Sequence, residues 1–374
     1  MKKHIYWYRY ISVVILCLML VVALSPVLHA QSLQGMVTTD AYVFPVTPGS
    51  AEWKAFTSHD EMLEACQIPE AILREMSTES LVETALGYPL YGDIWAYNSP
   101  QQGFEAVAAQ FNGLAELLTR KDAGKVLLAK YSRMSPLDIE EKWNDTQKGT
   151  YSFDIANIEI LLSQESILSS LTELELGDLR NDAMKKLLAK QNVGIDGQLT
   201  ISLTSQLVEG IFKSSDSSLA YYYDYVYTPA GTPVQVIMGL TELTPEQKAA
   251  AYAWVAAVYP NATVEAGPTS NYNCHSYAWY NQSTSNTRWM NSPAAYMTDG
   301  SYVYHGTYPY YWRAGMKMFY VAEGSHSAIL ISVNFDYAGY DGWICRSKWG
   351  AYPLMRHAAS YSPYNSIVIG FYDR

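Results

Sequence analysis

The spacing of apolar and polar residues divides the chain into a helical first half and a mixed second half. Between about residues 53 and 190, apolar residues recur every three or four positions, which is the period of an amphipathic helix. The stretch 101–119 shows this best, with apolar residues at Phe104, Val107, Ala108, Phe111, Leu114, Leu117 and Leu118. Ser58 and Glu61 form a capping-box pattern before another such stretch. The spacing predicts a bundle or solenoid-like stack of short helices without a clear repeat period.

The second half begins with a hairpin pattern and then mixes one helix with several strands. Tyrosine-rich residues 221–227 and apolar residues 234–238 flank the turn 228–233, which predicts two short strands. Thr244 and Pro245 are a capping residue and a first-turn residue, and they predict a helix that ends near Tyr259. Beyond residue 296 we predict strands at 316–321, 326–333, 342–347 and 366–372. A helical region followed by a run of strands predicts an α+β fold with an antiparallel sheet.

The N-terminus has the features of a secretory signal peptide. A basic leader precedes a nearly unbroken apolar run over residues 11–24, and Ala30 offers a small residue for cleavage. An uncleaved membrane anchor is the alternative, although the run is short for a membrane span. We therefore predict a signal peptide at 1–30, a helical domain at 31–195, a linker with a lead-in hairpin at 196–240, and a second domain at 241–374. The mature protein is expected to be secreted, without stable insertion in a membrane.

Composition narrows the class of partner. The net charge is −11, so no basic surface would neutralise phosphates, and nucleic acid is not an expected partner. The chain contains 32 tyrosines and 10 tryptophans but 9 phenylalanines. Aromatic side chains with a polar tip suit sugar- or peptide-binding grooves, and they equally suit ordinary exposed sheets.

Three cysteines remain after signal cleavage, which is too few for a disulfide scaffold. Cys66 follows helical spacing and is most simply a small buried residue. A disulfide between Cys274 and Cys345 is an open alternative, and it would silence either thiol.

Cys274 and His326 are the main candidates for chemistry. Cys274 stands at a predicted helix start, where Asn273 is a suitable capping residue and the helix dipole favours a thiolate. His326 opens a predicted buried strand and could supply an imidazole. A thiol and an imidazole on two rigid elements predict a catalytic dyad, so Cys274 should be alkylated faster than Cys66 near neutral pH.

A third polar group usually orients the histidine of such a pair, and two residues compete for this role. Ser347 shares a strand face with Cys345 and Trp349 by period-two alternation, which leaves Lys348 on the opposite face. His357 is the second candidate. The sequence does not choose between Ser347 and His357.

Substrate-binding candidates lie beside these residues. They are Tyr272, Asn273, His275, Tyr277, Trp312, Ser325 and Trp349. An aromatic run over 302–312 would line a cleft or a binding groove. We expect no cofactor.

The stretch Asn273-Cys-His-Ser-Tyr277 resembles the Asp-Cys-Ser-Gly-Phe nucleophile motif of the NlpC/P60 and CHAP-like cysteine peptidases. The element Gly324-Ser-His326-Ser-Ala-Ile resembles their histidine strand, which lies a similar distance downstream. The resemblance covers roughly residues 240–374. It implies a papain-like fold and hydrolysis of amide bonds, often in cell-wall peptides. The sequence departs from the family because Asn replaces Asp before the cysteine, and no His, Asn or Gln stands at the third position.

Three other hypotheses compete with this one. Cys274 and His326 could be ordinary buried residues. Cys274, His275, His326, Cys345 and His357 could bind a metal, although they lack the short paired spacing of zinc sites. The chain could also be a non-catalytic secreted binding or adhesion protein with an aromatic groove for glycans or peptides. Asp93 and the other scattered acidic residues of the helical half are read as solvated.

Overall fold

A computed structural model describes residues 41–209, 222–308, 311–321, 326–337, 339–364 and 368–374. The predicted signal peptide and the candidate Ser325 lie outside these ranges. No helix within them is long and apolar enough to cross a membrane.

Short helices make up the first half, as the three-four spacing predicts. They are α1 (Ala51–Ala55), α2 (His59–Ala65), α3 (Glu70–Glu75), α4 (Thr78–Leu86), α5 (Pro100–Gln110), α6 (Asn112–Leu117), α7 (Ala123–Tyr131), α8 (Asp145–Leu162), α9 (Glu165–Leu168), α10 (Glu173–Val193) and α11 (Gln198–Glu209). Side chains of neighbouring residues cap the N-termini of many of these helices, and Ser58 forms the predicted capping box with Glu61. A 3₁₀ segment, Tyr91–Ala96, interrupts the series between α4 and α5.

The described residues of the second half form a hairpin, two α-helices, a π-helix over Ser276–Tyr280 and a sheet. Its elements are β1 (Tyr222–Tyr227), β2 (Pro233–Met238), α12 (Pro245–Val258), β3 (Thr263–Ala266), α13 (Ala294–Thr298), β4 (Val303–Tyr304), β5 (Lys317–Tyr320), β6 (His326–Val333), β7 (Trp343–Lys348), β8 (Leu354–Ala358) and β9 (Ile369–Asp373). The hairpin β1–β2 is confirmed, and α11 precedes it within the stretch predicted as a linker.

The sheet is antiparallel, so the predicted α+β class is confirmed. In the described part of the chain, its seven strands lie in the order β3-β8-β7-β6-β5-β9-β4. The β6–β7 ladder runs from the pair Val333–Trp343 to the pair Ile329–Arg346 and ends there. The three residues at the start of β6 therefore lie beyond the last paired position.

The two faces of the sheet bury different partners. One face carries Leu330, Cys345 and Trp349 into a hydrophobic core that continues into the helical half. The other face carries Ile329 and Leu354 against the hairpin and against the aromatic helix that follows Cys274. Period-two alternation therefore divides adjacent residues of one strand between two cores.

Hydrogen bonds also join the helical half to the sheet half. Trp53 donates from Nε1 to the Val258 carbonyl at 2.8 Å, and Tyr97 donates to the Pro363 carbonyl at 2.9 Å. Asp93, expected in solvent, is buried, and its carboxylate accepts from the Tyr259 hydroxyl at 2.7 Å and lies 3.1 Å from His59 Nε2. The expectation for Asp93 is wrong because its partners come from α2 and from the residue that follows α12, which the local sequence does not reveal.

Candidate active site

The helix of the candidate nucleophile begins at Cys274, as predicted. Asn273 caps it, because its Oδ1 accepts from the Ser276 N–H at 3.1 Å. The same amide binds Met290, accepting from its N–H at 3.2 Å and donating to its carbonyl at 2.7 Å. The helix then widens into a π-helix over Ser276–Tyr280. Three hydrogen bonds of the Asn273 side chain thus hold the turn that presents Cys274.

Backbone amides surround the sulfur of Cys274. The N–H groups of Ser327, His275 and Cys274 itself face the sulfur and favour its thiolate. Leu330 exchanges hydrogen bonds with Gly315 and Met316, which lead into β5, so Ser327, three residues away, directs its N–H toward β7. Since the β6–β7 ladder has ended by that point, this N–H is available to the thiol.

His326 lies one residue before Ser327 and is fully buried. Its ring stacks on Tyr364 with centroids 3.5 Å apart and meets the edge of Tyr320 at 4.9 Å. Neither ring nitrogen has a hydrogen-bond partner among the described residues. The thiol–imidazole hydrogen bond expected of a dyad is therefore not formed in this structure. The two side chains share neighbours, because Ser327, next to His326, directs its N–H at the sulfur, and Tyr364, stacked on His326, also interacts with Cys274.

Both members of the pair are neutral in this closed arrangement. Burial raises the pKa of Cys274 to about 12, although the three amides and Lys348 act against that shift. Burial holds the pKa of His326 well below its ordinary value, and the neighbouring His357 and His275 act in the same direction. The resting site is thus a buried thiol and a buried neutral imidazole, and Cys274 is not preactivated relative to Cys66, whose pKa burial also raises to about 12.

The two candidate orienting residues bind each other. Ser347 Oγ lies 2.8 Å from His357 Nε2, and His357 Nδ1 donates to the Ala358 carbonyl at 2.7 Å. This tautomer leaves Nε2 as an acceptor for the Ser347 hydroxyl. Neither residue hydrogen-bonds to His326 in the described structure.

His357 also lies beside a second thiol. Cys345 Sγ is 3.5 Å from His357 Nε2, because the β7–β8 register places the two residues directly opposite each other. Burial raises the pKa of Cys345 to about 12 and lowers that of His357 to about 4. The sequence does not indicate this second thiol–imidazole pair, since no local pattern sets the register of these two strands. None of Cys66, Cys274 and Cys345 forms a disulfide.

Most of the candidate substrate-binding side chains are packed inside the protein. Tyr272, Asn273, His275, Tyr277 and Trp349 are all buried. His275 Nδ1 lies 2.8 Å from Ser327 Oγ, and the Tyr272 ring stacks on that of Tyr277. Tyr272, Asn273, His275 and Tyr277 hold the Cys274 helix against the sheet, whereas Trp349 packs in the core on the opposite face. None of the five lines an open groove. Trp312 is 37% exposed and packs against Phe335.

Exposed aromatic side chains lie elsewhere on the sheet half. On the hairpin they are Tyr222, Tyr223, Tyr225 and Tyr227, and near β4 they include Tyr304, Tyr308 and Tyr311. Tyr223, Tyr225 and Tyr227 alternate along β1 and therefore share one face of the hairpin.

No three His, Cys, Asp or Glu side chains within the described ranges are grouped to hold a metal ion. Comparison with known proteins adds no assignment: no family model, no curated protein and no solved structure matches the chain.

Proposed function

We propose that the protein is a secreted cysteine hydrolase that cleaves amide bonds in cell-wall peptides or proteins through Cys274 and His326. The observation that carries the proposal is the fully buried imidazole of His326, whose nitrogens have no hydrogen-bond partner among the described residues and which lies one residue from the amide that faces the Cys274 sulfur. Leaving a buried polar group unpaired costs about 1–3 kcal/mol. Folded proteins satisfy nearly all such groups, and the exceptions call for a functional explanation.

The reaction follows from the positions of these groups. His326 accepts the thiol proton, and the Cys274 sulfur attacks the carbonyl carbon of the amide. The helix-start amide of Cys274 helps to hold the oxyanion. The imidazolium then protonates the leaving amine, and His326 activates a water molecule that hydrolyses the thioester to a carboxylic acid and the free thiol. Because both groups are buried, binding of the substrate must be accompanied by opening of the site.

The chain offers a matched control for the nucleophile. Cys274→Ala should lower turnover of peptidoglycan peptides or casein on the order of 10⁴-fold, as expected for removal of a nucleophile. Cys345→Ala removes an equally buried thiol that also lies beside an imidazole, and it should leave turnover within a few-fold. Product release measured by mass spectrometry compares the two variants. Loss of activity in Cys345→Ala with full activity in Cys274→Ala would refute the assignment.

A second candidate is a non-catalytic secreted protein that binds glycans or peptides. The exposed tyrosine face of the hairpin favours it, as does the closed, neutral state of the cysteine site. The test is co-sedimentation with insoluble peptidoglycan. Under this function, replacing Tyr223 and Tyr225 with Ala abolishes co-sedimentation, and the wild-type protein shows no turnover.

A further inference from the structure

Lys348 is a buried lysine whose amine is fully coordinated by backbone carbonyls. Its Nζ donates to the carbonyls of Thr269 at 2.8 Å and of Gly350 and Tyr352 at 2.5 Å. An ammonium has three N–H donors, whereas a neutral amine has two. The three acceptors therefore favour the charged form, which counteracts the burial that lowers the pKa of Lys348 to about 7.

The position of Lys348 along β7 brings this charge to the cysteine site. Lys348 lies two residues beyond Arg346, the last β7 residue in the β6–β7 ladder. Alternation places it on the face that packs against the Cys274 helix, and its Nζ lies 5.3 Å from the centre of the Tyr272 ring. It interacts electrostatically with the Cys274 thiol, two residues after Tyr272.

We propose that Lys348 is a positioning residue whose ammonium stabilises the Cys274 thiolate. The proposal rests on the proposed function only in assigning that thiolate to amide hydrolysis. His326 remains the proton acceptor and donor of the reaction. The ammonium charge of Lys348 lowers the energy of the sulfur anion that forms when the thiol proton leaves.

Few other groups near the pair change charge close to neutral pH. Glu242 favours the charge on Lys348 and Lys248 opposes it, while Tyr364 and His275 lie near the thiol. The pKa values of His275 and His357 lie at about 3 and 4, and that of His326 is well below its ordinary value. The pKa of Tyr272 is about 12. Lys348 is therefore the group at this site expected to titrate near pH 7.

The pH profile of Cys274 alkylation in the full chain tests the proposal. Iodoacetamide is the probe, and peptide mass spectrometry gives a separate rate for each cysteine. Below the pKa of Lys348, the Cys274 rate should rise about tenfold per pH unit, as the thiolate fraction does. Above that pKa the rate should level off. The ammonium–thiolate pair and the neutral amine–thiol pair then hold the same number of protons, so the ratio of the two forms, and with it the thiolate fraction, does not depend on pH. The Cys345 rate should continue to rise, and a Cys274 rate that rises in parallel with it overturns the proposal.

Lys348→Gln and Lys317→Gln make a matched pair of variants. Lys317, on β5, is also buried, and its pKa is lowered to about 8. Its Nζ lies 5.9 Å from the centre of the Tyr302 ring, whereas Lys348 contacts Tyr272. Lys348→Gln should remove the plateau and slow Cys274 alkylation at neutral pH about tenfold, the effect of one pKa unit. Lys317→Gln should retain the plateau. A purely structural role for Lys348 would instead loosen the protein and accelerate alkylation of all three cysteines, which would also overturn the proposal.

These measurements separate the two proposals, since alkylation requires no substrate. A plateau in a protein that hydrolyses no amide supports the thiolate–ammonium pair and refutes the hydrolase. Amide hydrolysis by a protein whose Cys274 rate shows no plateau supports the hydrolase and refutes the thiolate–ammonium pair. If Lys348→Gln does not fold, the wild-type profile alone decides the question.

Discussion

At the scale of single residues, buried charges depend on partners that are distant in sequence. Glu159 lies within the apolar run Ile158-Glu-Ile-Leu-Leu162 and is fully buried. Its carboxylate accepts from Lys190 Nζ, the Tyr131 hydroxyl and the Thr204 hydroxyl, each at 2.9 Å. The expectation that the acidic residues of the helical half are solvated is wrong for Glu159, because its three donors come from three other helices. The sequence therefore predicts the helix and not the network.

Replacement of Glu159 should be costly because it leaves the buried Lys190 ammonium without its main counter-charge. We expect Glu159→Gln to lower the free energy of unfolding by about 3–5 kcal/mol, as when one partner of a buried ion pair is removed. Glu70→Gln is the control, since Glu70 pairs with Arg74 on the exposed surface and should change stability by less than about 0.5 kcal/mol. Urea denaturation measures both. Equal effects of the two substitutions would show that burial of the pair is unimportant.

The cysteine site follows the same rule. Cys274 and His326 stand where local signals place them, at a capped helix start and at the first residue of a strand. The partners of these residues follow from tertiary packing. The Ser347–His357 and Cys345–His357 contacts depend on strand register, and the ring of Tyr364 covers His326 from a distant loop.

At the scale of elements, close packing of α8 against α12 depends on one glycine. A Cβ at Gly149 would lie 1.9 Å from the Glu246 carbonyl oxygen at the start of α12. Helical spacing predicts both helices, but it does not show that their backbones touch. A glycine within a predicted helix weakens that prediction, and here the contact between two helices explains its presence.

Alanine substitutions at two helical glycines separate the effect of helix packing on stability from the effect of helix propensity. Gly149→Ala should destabilise the protein by about 1–3 kcal/mol, because the new methyl group forces α8 and α12 apart. Gly177→Ala lies in α10, where nothing is within 4 Å of the new Cβ, and should stabilise by up to about 1 kcal/mol. Thermal or urea unfolding gives the sign of each change. A stabilising Gly149→Ala would mean that the two helices are not in backbone contact.

At the scale of the whole molecule, the helical half and the sheet half share one hydrophobic core. Tyr352 and Tyr364 of the sheet half donate to the carbonyls of Gly92 and Ala96 in the 3₁₀ segment, at 2.8 and 2.5 Å. Composition and loop signals suggest a division near residues 196–240, but they contain no information about contacts that cross it.

A shared core predicts a single cooperative unfolding transition. Far-ultraviolet circular dichroism, dominated by the helices, and hydrogen exchange of the sheet amides should give the same denaturant midpoint. Asp93→Asn weakens the hydrogen bonds of this side chain with His59 and Tyr259 and should lower the free energy of unfolding by about 1–3 kcal/mol. Both midpoints should fall together. Two midpoints that separate, or a shift confined to the helical signal, would indicate independent domains.

The local signals of the chain are sufficient for its α+β class, its capped helices, its hairpin, and the placement of Cys274 and His326 at the ends of rigid elements. These properties depend on interactions between residues a few positions apart, so the spacing of apolar side chains and capping residues is enough to predict them. Long-range packing alone sets the sheet order, the neutral state of the buried thiols and imidazoles, and the approach of Lys348 to Cys274. Such features depend on strand register and on desolvation by residues far away in the chain, and no local pattern encodes either.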